Sequence, residues 1–110
     1  MVYASSSYYI VDFNGMIIPK KKATKYCTLA TYCINHYIPK DYNKSDDNIQ
    51  LKRCCCRIAE ILYGYCKENE SLLTSKKDVV NLCNQNEQIK IQIRNTIILY
   101  LQINILQKAE

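Results

Sequence analysis

The stretch "LKRCCCRIAEILYGYC", residues 51–66, decides how this chain is read. Three consecutive cysteines in a short basic protein point either to chemistry or to the inside of a helix. Leu51, Cys55, Ile58, Leu62 and Tyr65 follow at spacings of 4, 3, 4 and 3, one apolar stripe on a helix of 3.6 residues per turn. Cys54 and Ile61 widen that face. Neighbouring helical residues point about 100° apart, so Cys54, Cys55 and Cys56 cannot all face one metal. Structural zinc sites draw paired ligands from turns, at spacings such as C-x2-C. Cys27 and Cys33 are six apart, Cys66 and Cys83 seventeen apart, and His36 is the only histidine. A catalytic cysteine needs a base and a surrounding that lowers its pKa. Lys52, Arg53 and Arg57 bring charge, but no spacing marks a base. Cysteine is a small apolar residue that fills helix cores, and packing is the stronger reading. Cys54 and Cys55 are expected inside, with Cys56 nearer the edge. Ser45, Asp46 or Asp47 is the expected cap, Lys67 the approximate end, and Gly64 the mark of a close helix contact.

Working outward, Ala23, Cys27, Ala30, Ile34 and Tyr37 repeat the same 4, 3, 4, 3 spacing. They predict a helix from about Pro19, a good opening residue, to Tyr37. Before it, "SSSYYIVDFNG" at 5–15 reads as a short helix. Ser5 to Ser7 offer cap oxygens, Gly15 offers a left-handed stop, and Tyr9, Val11 and Phe13 are candidate anchors. In "ENESLLTSKKDVVNLCNQ", residues 68–85, "LLTS" and "DVVNLC" flank a polar "KK" and allow a small β-hairpin. In "NEQIKIQIRNTIILYLQINILQ", residues 86–107, Ile89, Ile91 and Ile93 alternate like a strand. The full length, with Ile89, Ile93, Ile97, Tyr100 or Leu101, and Ile105, favours a helix. The expected fold is therefore all-α: one domain over 1–110, a small bundle of about four helices, with a short β-hairpin before the last.

The totals agree. The chain has 110 residues, about half of them apolar, with two glycines and two prolines. That suffices for one core and is poor in the turn residues of an all-β domain. The net charge of +5 is mild and demands no particular partner. Ten tyrosines against one phenylalanine and no tryptophan suit half-buried positions and interfaces. "MVYASSSYY" lacks the pattern of a secretory leader, and the longest apolar run is "IILYL" at 97–101. No membrane partner is expected. Seven cysteines, an odd number, fit a reducing cytoplasm better than a disulfide framework.

Signatures of phosphate loops, paired carboxylates and nucleophile elbows are missing from the sequence. No cofactor and no catalytic or metal residue is expected. The basic run "KKKATK", residues 20–25, is either a solvated face or a contact with nucleic-acid phosphates.

Taken in order, "YASSSYYIVDFNGMIIP" at 3–19, "KATKYCTLATYCINHYI" at 22–38 and "NIQLKRCCCRIAEILYGY" at 48–65 form a recognisable series. It resembles the head–tail connector (head-completion or adaptor) proteins of bacteriophages of Gram-positive hosts. That family opens with a short helix carrying an aromatic pair and closed by glycine. An extended x-I-P link and two further helices follow. "RNTIILYLQINILQKAE" at 94–110 is similar to the family's last helix. The resemblance covers residues 3–66 and, more thinly, 86–107. Residues 68–85 lack the family's glycine-containing hairpin, and the C-terminus lacks its Thr-Gly and Arg-Gly ending.

The resemblance implies a non-enzymatic virion protein of the phage neck, assembled in the host cytoplasm. It implies a ring of copies, dodecameric in this reading, docked under the portal protein ring. Such a ring extends the DNA channel and receives a tail or neck completion protein. On it, Lys20, Lys21, Lys22 and Lys25 become candidates for the DNA lumen or a partner's acidic surface. Leu72, Leu73, Val79, Val80, Tyr100, Leu101, Ile103, Ile105 and Leu106 become candidates for inter-subunit or portal contacts. The alternatives are a small helical nucleic-acid-binding regulator, resting on "KKKATK", and a thiol- or metal-dependent protein using Cys54–Cys56.

Overall fold

The two 4-3-4-3 stripes both fall on helices. The computed structural model describes residues 2–103. Four α-helices occur in it: α1 (Ala23–Tyr37), α2 (Ile49–Cys66), α3 (Lys76–Gln85) and α4 (Glu87–Leu101). A π-helical turn at Tyr8–Asp12 and 3-10 turns at Lys20–Lys22 and Glu70–Leu72 complete the regular structure. The all-α expectation stands.

The α1 stripe of Ala23, Cys27, Ala30, Ile34 and Tyr37 is buried throughout. Tyr26, Leu29, Thr31 and Cys33 are buried as well, so α1 runs through the middle of the molecule. Pro19, in extended conformation, opens the 3-10 turn that leads into α1. On α2, Leu51, Cys54, Cys55, Cys56, Ile58, Ala59 and Leu62 are all buried. The stripe fails at its end. Tyr65 is 43% exposed, and Cys66, one turn beyond Leu62, takes the inner place. Gly64 has open space where a side chain would stand, so it marks no close helix contact. The cap is Asn48 instead of Ser45, Asp46 or Asp47: its side-chain oxygen accepts from the Leu51 N–H at 3.0 Å. The Asn48 amide also donates to the Asn43 carbonyl at 2.9 Å, which fixes the loop before the helix.

Residues 68–85 form no hairpin, and no strand occurs among the described residues. Ser75 caps α3 by accepting from the Asp78 N–H at 3.2 Å. Asp78 reaches back to accept from the Thr74 N–H at 3.0 Å, a reciprocal cap. Val79 and Cys83, four apart, are its buried residues and are directed inward by helical spacing. The polar "KK" that reads as a hairpin tip is the first turn of this helix. Asn86 ends α3 and caps α4, accepting from the Ile89 N–H at 3.1 Å. Ile89, Ile93, Ile97 and Leu101 form the buried stripe of α4, and Tyr100 is half-buried. Ile105 lies outside the described residues.

Candidate functional site

The N-terminal segment lies across α1 and α2. Tyr3 donates its backbone N–H to Thr31 Oγ1 at 3.1 Å, and its hydroxyl donates to Asn35. Ser5 Oγ accepts from the Tyr8 N–H at 3.0 Å, as a cap should. Tyr9 is fully buried and carries the segment. Its hydroxyl donates to Glu60 Oε2 at 2.8 Å and accepts from the N–H groups of Ile17 at 3.1 Å and Ile18 at 2.9 Å. Burial, partly offset by those two N–H groups, raises the Tyr9 pKa. Glu60 is itself buried and pairs with Arg57 at 3.1 Å.

This arrangement corrects three expectations. Gly15 is not the left-handed stop; Asn14 is, at φ 59°. Gly15 is needed because a Cβ there would stand 2.1 Å from the Tyr9 ring. Val11 is no anchor, being 73% exposed, while Phe13 stacks on Tyr9 with ring centroids 5.9 Å apart. Cys56, expected nearer the edge, is fully buried and interacts with Cys27 of α1. Lys52 lies over the Tyr8 ring and Arg53 over the Phe13 ring, at 5.6 and 5.5 Å.

The basic run divides into two pairs. Lys22 forms an ion pair with Glu70 at 3.0 Å, and Lys25 donates to the Glu70 carbonyl oxygen at 2.9 Å. Tyr26 donates its hydroxyl to Glu70 Oε2 at 2.7 Å. The Tyr26 hydroxyl and the Lys22 ammonium hold the Glu70 carboxyl below the usual carboxylate range. These two lysines therefore fasten the turn before α3 onto α1. Lys20 and Lys21 stand exposed.

Among the residues expected to make contacts, Leu73, Val79 and Leu101 are buried in the core. Val80, Tyr100 and Ile103 are half-buried, and Leu72 is 70% exposed. Ile105 and Leu106 lie outside the described residues. Beside Val2, Ile49 and Tyr65, further apolar residues reach the surface, among them two sets on separate elements. One is Val11, Met16 and Ile17 in the N-terminal segment; the other is Ile91, Ile98 and Leu99 on α4. Met16 at 88% and Leu99 at 72% are the most exposed of each. Both were detectable in principle. "MIIP" offers three apolar residues to a link that can bury one, and Ile18 is that one. An isoleucine at every second place from 89 to 93 cannot be wholly inside on a helix.

The cysteines are all free and buried. Burial pushes Cys54 up to about 12 and Cys66 up to about 11. Contact with Cys27, together with burial, raises Cys55 and Cys56. Cys55 Sγ donates to the Cys27 carbonyl at 3.4 Å. No group of three or more His, Cys, Asp or Glu that could hold a metal occurs among the described residues. The Tyr37 hydroxyl is buried with no hydrogen-bond partner among them, and burial pushes its pKa up to about 12. No helix among them is long and apolar enough to cross a membrane.

Compared with protein-family models, curated proteins and solved structures, the chain matches none.

Proposed function

We propose that this chain is a structural assembly subunit, and specifically a head–tail connector subunit of a phage neck. In this reading copies form a ring under the portal, around the DNA channel, and the ring receives a tail or neck completion protein. One observation carries the assembly reading: two exposed apolar groups sit on different elements, Val11, Met16 and Ile17 in one and Ile91, Ile98 and Leu99 in the other. A closed ring needs head-to-tail junctions, in which one patch meets a different patch on the neighbour. A twofold dimer needs one self-complementary patch. The sequence series over residues 3–66 narrows assembly to the phage neck.

A DNA-binding regulator draws less support. Lys22 and Lys25 are committed to residue 70, leaving Lys20 and Lys21 as the exposed part of the run. Nonspecific DNA affinity scales with the phosphates neutralised, and two lysines neutralise few.

The test is the mass and shape of the purified protein, by light scattering and negative-stain imaging, with and without a portal ring. A ring, or a monomer that becomes a ring on the portal, is the expected result. A monomer or dimer indifferent to the portal would overturn the reading.

A further inference from the structure

The Sγ atoms of Cys33 on α1 and Cys83 on α3 lie 3.8 Å apart, although the residues are 50 apart in sequence. Both side chains are buried. A disulfide needs its sulfurs at about 2.05 Å, so a closing movement of under about 2 Å joins them. The other thiol grouping, Cys27 with Cys55 and Cys56, lies between α1 and α2, where packing is most complete.

We propose that Cys33 and Cys83 form a redox-modification site, in which a small peroxide converts the pair into a disulfide that staples α3 to α1. Access favours this pair over the Cys27 grouping at the α1–α2 contact. Among the residues of α3 only Val79 and Cys83 are buried, and exposed residues precede it. Elements with few buried apolar contacts open locally at low cost, so α3 is the helix through which a small oxidant reaches the core. Cys83 rides on α3 and Cys33 on α1, so opening of α3 bares Cys83 and suits it to react first.

In the first step the Cys83 thiolate attacks one peroxide oxygen. The O–O bond breaks, Cys83 becomes a sulfenic acid, and the released hydroxide takes the proton that Cys83 gave up. In the second step the Cys33 sulfur attacks the Cys83 sulfur. The S–O bond breaks, and the departing hydroxide takes the Cys33 proton. Two electrons pass from the two sulfurs to the peroxide, and two waters leave.

The test treats the full-length folded protein with hydrogen peroxide, blocks remaining thiols with N-ethylmaleimide, and maps linked peptides by mass spectrometry. The expected result is a Cys33–Cys83 link within one chain, with the other five cysteines blocked as thiols after denaturation. Amide exchange across α3 should then slow by about tenfold or more against the reduced protein. The link should vanish in Cys33→Ala and in Cys83→Ala. Mapping on the wild-type chain decides the matter even where a variant fails to fold. A dominant link between any other pair, or Cys83 oxidised beyond sulfenic acid without a link, would overturn the proposal. So would folded protein that keeps all its thiols under conditions that oxidise the denatured chain.

Discussion

The α1–α2 pair and the segment from Glu70 to Gln85 are joined in one fold but held by different means. Where α1 meets α2, Cys27, Ala30, Ile34, Cys55, Ile58 and Leu62 are closed to solvent. Stability there comes from apolar area removed from water and from close packing. The Glu70–Gln85 segment buries little besides Leu73, Val79 and Cys83. It is fastened at its start, by Tyr26, Lys22 and Lys25 on residue 70, and its helix is held by its own Ser75–Asp78 cap. One half depends on volume and shape; the other depends on a few polar ties that water and protons can reach. The difference teaches which half is free to open, and it is the half that carries Cys83.

Ile58→Ala should have the largest effect on this contrast. Removing a fully buried isoleucine side chain costs about 2–5 kcal/mol, and urea unfolding should register that loss for the whole fold, α3 included. If instead only part of the structure melted earlier, the two halves would not share one core. Tyr9→Phe comes next, because it probes a polar tie placed inside the dry half. It leaves Glu60 and the Ile17 and Ile18 N–H groups without their shared partner, for a cost of about 1–3 kcal/mol. Exchange of the Ile17 and Ile18 amides should quicken, and unchanged exchange there would remove Tyr9 from its assigned role.

Ser75→Ala should cost about 1 kcal/mol through the lost cap. Its mark is local: faster amide exchange across α3 with α1 and α2 unaffected. An equal change in all helices would erase the distinction between the halves. Acid should act in the same place and more gently. Glu70 is held low by Tyr26 and Lys22, and Asp78 by the Thr74 N–H and hydroxyl and by Ser75. A folded-state pKa below the unfolded value gives stability that is present above the unfolded pKa and lost as pH falls through the folded one. Amides of α3 should therefore lose protection below about pH 4 before those of α1 and α2. Loss in the reverse order would contradict the polar fastening.

The same contrast separates what was legible in the sequence. The α1 and α2 stripes stand out because burial on one side of a helix imposes a period, and Ala23 through Tyr37 and Leu51 through Leu62 keep it. Helix α3 is too short for a period to rise above chance. Its one sure sign is the S-x-x-D cap at Ser75 and Asp78, and the paired "LLTS" and "DVVNLC" runs mask it. The Tyr9–Glu60 tie spans 51 positions and leaves no local trace. Nor does the division of the lysines, since what distinguishes Lys22 from Lys20 is Glu70, distant in sequence. The surface groups were not legible: Ile98 and Leu99 are absent from the expected contact residues, Leu101, which is among them, is buried, and Val11 reads as an anchor and turns out to be exposed.

The most direct measurement is a mixing experiment on those patches, with Met16→Glu in one protein and Leu99→Glu in another, each followed by light scattering. Head-to-tail assembly predicts that each variant alone stays a monomer. Mixed, they should form a 1:1 dimer, because the intact α4 patch of the first meets the intact N-terminal patch of the second. A mixture that remains monomeric under conditions in which the unaltered chain assembles, or variants that still assemble like the unaltered chain, would contradict the account.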